Sequence, residues 1–166
     1  MVKLKFVIIS IGVLIAGICL SMYLSRSEEK KVRKQFDQLS KWVSKDHNED
    51  HFTMAGKIKN IGELCVDDFT LTIHDSSPSG RYSPKEISGL AARLRFPFSK
   101  LSLKFNDLQI EFPDKKKAKV IATAIFSGNL KEGEIVDEIF EVEYDLIKLE
   151  NKWLFISANV VEVLEK

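Results

Sequence analysis

The sequence predicts an α+β chain: an N-terminal transmembrane helix followed by three helices packed on a curved, mainly antiparallel sheet. Three observations predict it. Residues Phe6 to Leu24 (FVIISIGVLIAGICLSMYL) carry no charge and are fenced by Lys3 and Lys5 before and Arg26 after. At about 1.5 Å per residue such a run crosses a hydrocarbon core of roughly 30 Å. Ser83-Pro84-Lys85-Glu86 places Ser at a helix cap, Pro at the first helical position and Glu at the third, so a helix starts there. Finally, the second half of the chain holds four long runs of alternating polarity separated by turn residues, the pattern of consecutive antiparallel strands.

The first element is read as a retained anchor. A cleaved secretory signal needs a small-x-small site, and the best match, Ser25-Arg26-Ser27, is poor. The apolar run also exceeds the roughly 7 to 15 residues of a secretory h-region. A lipoprotein reading would acylate Cys19, but Ile18 stands where a small residue is needed. The domains that follow are 1–27, a short tail with the anchor, and 28–166, one soluble domain large enough for its own core.

Composition narrows the function classes. The chain is 45% hydrophobic and 30% charged with a net charge of +1, which gives no global attraction to nucleic acid. Cys19 lies in the apolar run and Cys65 in the domain, so the domain closes no internal disulfide, and Cys65 reads as a small buried hydrophobe.

Val32, Phe36, Leu39 and Val43 recur on one helical face, which Trp42 widens, and Ser25 three residues before Glu28 fits a capping box. A polar run from Asp46 to His51 interrupts this pattern, and a shorter helix burying Met54, Ile58 and Ile61 follows. Val66 to His74 alternates Phe69, Leu71 and Ile73 inward as a strand, and Asp75 to Tyr82, rich in Ser, Pro and Gly, reads as a loop. The capped helix buries Ile87, Leu90, Ala91 and Leu94 and ends at Pro97. The long strands are Leu101 to Phe112, Lys119 to Ser127, Glu134 to Glu150 and Lys152 to Leu164, with turns at Pro113-Asp114, Gly128-Asn129 and Glu150-Asn151. Leu101, Leu103 and Phe105 alternate in one phase and Leu108, Ile110 and Phe112 in the other, so a bulge near Asn106-Asp107 restores a single buried face.

This order, two helices, a strand, a capped helix and four long strands, resembles the nuclear transport factor 2-like (cystatin-like) superfamily, with its polyketide cyclase-like members, over residues 28 to 164. The specific echoes are Glu63 to Phe69 leading into the first strand, Arg81 to Ile87 opening the third helix, and Tyr144 to Trp153 forming the last hairpin. The resemblance implies a cone-shaped domain. It leaves function open, because the superfamily spans isomerases and dehydratases, dimeric adaptors and membrane-anchored assembly components.

An enzyme of this kind needs acid, base or hydrogen-bonding groups in the cone. Asp67, Asp68, His74 and Tyr82 are the residues to inspect, and no catalytic residue is assigned among them. Phe69, Phe105, Phe126, Tyr144 and Trp153 are expected to face inward as ligand-pocket candidates, an apolar lining rather than a reaction centre. His47 and His51, spaced i, i+4 with Asp46 and Asp50, have metal-ligand spacing in principle, but a short polar run reads as a solvated linker, so neither metal nor cofactor is expected. Lys115-Lys116-Lys117 is a hairpin tip, solvated or touching a membrane surface.

The expected function is a membrane-anchored, non-catalytic binding or assembly module in an envelope complex or transport system. The alternative is a carrier or enzyme acting on a lipid or other hydrophobic molecule in the cone. Expected partners are the bilayer through the N-terminal helix, protein partners or self-association through the sheet, and a hydrophobic ligand. The domain is expected on the extracytoplasmic, periplasmic side. Counting Lys and Arg after the apolar run favours the cytoplasmic side instead.

Overall fold

The computed structural model describes residues 26–73 and 77–163. The apolar run Phe6 to Leu24, with the cap Ser25, and the candidate His74 lie outside the described residues. Among the described residues no helix is long and apolar enough to cross a membrane. Contacts divide the chain between Val32 and Arg33, and the unit Arg33–Lys166 carries the whole sheet.

Three helices are present among the described residues. Residues 26–43 form α1, whose Phe36 and Val43 are buried and whose Leu39 and Trp42 are half-buried, the stripe the spacing predicts. The chain then leaves the helix and Lys45 pairs with Leu101 in an isolated antiparallel bridge, with N–H···O distances of 2.8 and 2.9 Å. Helix α2, His51–Gly62, is capped by Asp50, whose carboxylate accepts from the Phe52 and Thr53 amides, both at 2.9 Å. The Thr53 hydroxyl donates to the same group and holds the Asp50 pKa below the ordinary carboxylate value. Of the expected α2 stripe, Ile61 is buried and Met54 and Ile58 are half-buried.

Helix α3, Pro84–Arg95, begins with the predicted capping box: Ser83 Oγ accepts from the Glu86 amide and the Glu86 carboxylate accepts from the Ser83 amide. Its first turns bury Ile87 and Ala91. The last turn departs from the expected stripe: Leu94 is exposed and Arg95 is buried. The reason is what that turn meets. It faces the backbone that leaves α1, where Arg95 Nε donates to the Val43 carbonyl (3.0 Å) and Nη2 to the Ser44 carbonyl (3.0 Å).

The sheet contains β1 Cys65–Ile73, β2 Ser77–Tyr82, β3 Phe98–Asp114, β4 Lys117–Leu130, β5 Ile135–Leu149 and β6 Lys152–Val163, in the order β2-β1-β6-β5-β4-β3. All neighbours are antiparallel except β1 and β6, which run parallel. The segment read as a loop, Asp75 to Tyr82, therefore contains an edge strand. Its Ser-Pro-Ser-Gly sequence gives no alternation, and a Pro is tolerated because β2 has a neighbour on one side only.

The bulge expected at Asn106-Asp107 is present, with a register shift between Asn106 and Gln109 and Asp107 at φ 52°. Two turns differ from expectation. β3 continues through Pro113 to turn at Lys115-Lys116, and β4 continues through Gly128 to turn at Lys131-Glu132-Gly133, where Gly133 takes φ 96°. Gly128 is no turn residue: it lies in the sheet with the Phe98 ring packed over the space a side chain would fill. The Glu150-Asn151 turn is as predicted, both residues at positive φ (46° and 67°) as a two-residue hairpin of this twist requires.

Candidate functional site

The sheet has two faces with different chemistry, and the strand registers sort them. On the inner face lie Ala118, Val120, Ala122 and Ala124 of β4, Val142, Tyr144 and Leu146 of β5, and Phe155 and Ala158 of β6. Small alanines in β4 leave room for α1, whose Phe36 ring meets Phe105, Tyr144 and Phe155 edge-on at centroid distances of 5.2, 5.1 and 5.2 Å. Tyr144 closes the cluster at 5.5 Å from Phe155 and 6.0 Å from Phe105. Such edge-to-face contacts add about 0.5–1.5 kcal/mol each beyond area burial.

The five ligand-pocket candidates all occupy the core side, but not as one pocket. Phe105 and Tyr144 share the α1 cluster. Phe126 packs against Phe98 at 5.5 Å, Trp153 packs against Phe112 at 5.7 Å, and Phe69 is buried on β1, opposite Tyr82. Sequence alternation found the face but missed Phe155, which belongs to the cluster and stands two residues after Trp153, in the same phase.

Acid–base chemistry on this face is sparse. Tyr144 is pushed above the ordinary phenol value, by burial first and by the neighbouring Cys65 second. Cys65 is pushed up to about 12 by burial, and its Sγ points at the Ile61 carbonyl at 3.9 Å. Both are protonated at neutral pH, so neither serves as a base or thiolate nucleophile there. Asp67 and Asp68 are exposed, and Tyr82 is half-buried on β2. His47 lies in the turn before α2 and His51 is the helix's first residue, both exposed, so the i, i+4 spacing does not put them on one helix.

The outer face carries a groove of about 300 Å³ where the bulges bend the sheet. Two cross-strand rows form it: Gln109, Ile121, Glu143 and Asn159, then Glu111, Lys119, Asp145 and Ser157. Lys119 stands in register between two carboxylates, and Ser157 Oγ donates to Asp145 at 3.0 Å. Further along the same face Ile125 and Ile139 pair across β4 and β5 beside Lys104, and Ile121 keeps 39% of its surface exposed. The outer face thus alternates isoleucines with charges of both signs. No local motif announces it, because it emerges only once the strand registers are known.

No family model matches the sequence, and no curated protein does. Among solved structures, a candidate scytalone dehydratase from Novosphingobium aromaticivorans superposes with a TM-score of 0.66 at 13% identity, over 86% of this chain and 89% of that one. The hexachlorocyclohexane dehydrochlorinase LinA-type3 from Novosphingobium barchaimii gives 0.65 at 13% identity, over 84% and 90%. An ntf2-like protein with a cystatin-like fold from N. aromaticivorans gives 0.65 at 10% identity, over 84% and 85%. At these identities the likeness concerns the fold: the domain has the α+β architecture, helices on a curved mixed sheet, that these ntf2-like, cystatin-like structures share. The fold hosts enzymes and other proteins alike.

Proposed function

We propose that the chain is a membrane-anchored, non-catalytic binding and assembly module, an accessory subunit of an envelope complex or transport system whose domain lies on the extracytoplasmic side. The apolar run Phe6 to Leu24 is its tether, and residues 28–166 are its working domain. The observation that carries the reading is the outer sheet face, where Ile121, Ile125 and Ile139 stand among Lys104, Lys119, Glu141 and Glu143. An exposed Ile121 and half-buried Ile125 and Ile139 interleaved with both charges suit a protein partner or a second copy of this face, and offer nothing to nucleic acid. The test is native mass spectrometry of the full chain released from lipid nanodiscs. A dimer or partner-bound species that Ile125→Asp abolishes supports the module; a bare monomer, with no protein recovered beside it from the native membrane, overturns it.

A second reading has its own observation. The aromatic cluster of Phe36, Phe105, Tyr144 and Phe155 is an apolar lining, and two of the neighbours are named for dehydratase and dehydrochlorinase activity. A carrier or enzyme for a lipid or other hydrophobic molecule would retain a lipid-sized mass in the same spectra. Against base or thiolate chemistry on that side stands the protonated state of Tyr144 and Cys65, whose pKa values burial raises.

A further inference from the structure

Exposed lysines of two hairpin turns share one end of the sheet. The β3–β4 turn carries Lys115, Lys116 and Lys117, and Asp114 fixes it by accepting from the Lys116 amide at 2.7 Å. The Lys148 amide donates to the Lys116 carbonyl at 2.7 Å, which ties this turn to the β5–β6 hairpin with its exposed Lys152 and Leu149. The carboxylates in these turns are Asp114 and Glu150. At the opposite end the β4–β5 turn has Glu132 and Glu134 beside Lys131, whose ammonium lies 4.2 Å from the Phe96 ring centre.

Helix α1 runs antiparallel to β3: Lys45 pairs with Leu101, Ser44 Oγ accepts from the Leu103 amide at 3.1 Å, and Arg33 Nη2 donates to the Leu108 carbonyl at 3.3 Å. Going back toward Arg33 therefore leads along β3 toward Asp114 and the Lys115-Lys116 turn. In sequence, Arg26, Lys30 and Lys31 and then the apolar run stand before Arg33.

We propose that this lysine-tipped end, Lys115, Lys116, Lys117 and Lys152, docks on an anionic bilayer surface and sets the cone upright on its membrane. The inference rests on the tethered reading above, which keeps the domain beside a bilayer; ammonium groups within a Debye length, about 8–10 Å, of anionic headgroups are attracted to them. Ammonium groups meet lipid phosphates through charge-assisted hydrogen bonds. Each lysine near an anionic leaflet strengthens association by roughly fivefold, so three together act by about a hundredfold. Docking at this end turns the outer sheet face and the Phe96 end toward protein partners.

The experiment reconstitutes the full chain in vesicles of phosphatidylcholine alone and of phosphatidylcholine mixed with phosphatidylglycerol. A membrane-impermeant amine acetylating reagent then reads each lysine by mass spectrometry. Labelling of Lys115, Lys116, Lys117 and Lys152 should slow roughly fivefold or more in the anionic vesicles, recover in high salt, and stay unchanged at Lys131. In the variant K115Q/K116Q/K117Q, whose altered side chains are exposed, Lys152 should lose its dependence on lipid charge. Equal labelling of the four lysines in both lipids overturns the docking. Alkaline carbonate washing of the same vesicles reads the tether separately: a chain that washes off refutes the tether, while the labelling measured before the wash still decides the docking.

Discussion

Arg95 Nη2 stands 2.6 Å from Glu49 Oε2, and the two side chains are 1% and 2% exposed. Lys57 approaches the other carboxylate oxygen at 2.5 Å, so one buried carboxylate joins α3, α2 and the loop between α1 and α2. Arg95 completes the joint through the Val43 and Ser44 carbonyls, and Lys45 reaches back to the Phe98 carbonyl at 2.6 Å. Removing the carboxylate alone strands buried positive charge. Glu49→Ala should therefore cost about 3–5 kcal/mol in urea denaturation, whereas the apolar pair Glu49→Leu with Arg95→Met should cost less than Glu49→Ala alone. A double variant less stable than Glu49→Ala would refute the joint as described.

The α2–α3 contact predicts opposite outcomes at two glycines of α2 that stand six residues apart in sequence. A Cβ at Gly62 would land on the Pro84 carbonyl oxygen and Ser88 Oγ, because the last turn of α2 meets the first turn of α3 there. Gly56, in the middle of α2, has open space around it. Thermal melts should show Gly62→Ala destabilised by about 1–3 kcal/mol and Gly56→Ala stabilised by about 0.5–1 kcal/mol.

Local rules wrote much of this fold openly. The Ser83-Glu86 box, the phase break at Asn106-Asp107 and the Glu150-Asn151 turn are each decided by a few neighbouring residues, and each is where the pattern places it. The failures are long-range. Nothing near Arg95 in sequence marks it for burial, because its partner Glu49 lies 46 residues away. Gly128 looks like a turn until Phe98, thirty residues earlier in the chain by register with Leu130, is seen to fill its space. The outer groove is legible only after bulges have set which residues share a row. For the same reason alternation identified the inner face while scattering the five pocket candidates over separate contacts.

Phe36 is the side chain through which α1 grips the sheet, with three aromatic rings at 5.1–5.2 Å around it. Truncation removes both its transfer free energy and the filling of the space between Phe105, Tyr144 and Phe155. Phe36→Ala should cost about 3–5 kcal/mol, and Phe36→Leu distinctly less, in equilibrium urea unfolding. A loss below about 1 kcal/mol for the alanine variant would mean that helix and sheet are held together elsewhere.

Cys65 and Tyr144 give the fold an alkaline limit. Burial raises the Cys65 thiol from 9.0 to about 12 and raises the Tyr144 phenol as well. Both groups are neutral acids, so below the unfolded-state values they bind the same number of protons folded or unfolded and contribute no pH dependence. Between the unfolded and folded values the unfolded chain has lost protons that the folded chain keeps, and stability must fall as pH rises. The loss therefore opens near pH 9 and, for Cys65, runs to about pH 12. Urea midpoints measured upward from pH 8 should decline through this window. Cys65→Ala and Tyr144→Phe should each flatten the decline, and the double variant should flatten it most. A wild-type slope unchanged by both substitutions would place the alkaline sensitivity in other groups and remove the two side chains from the buried interior.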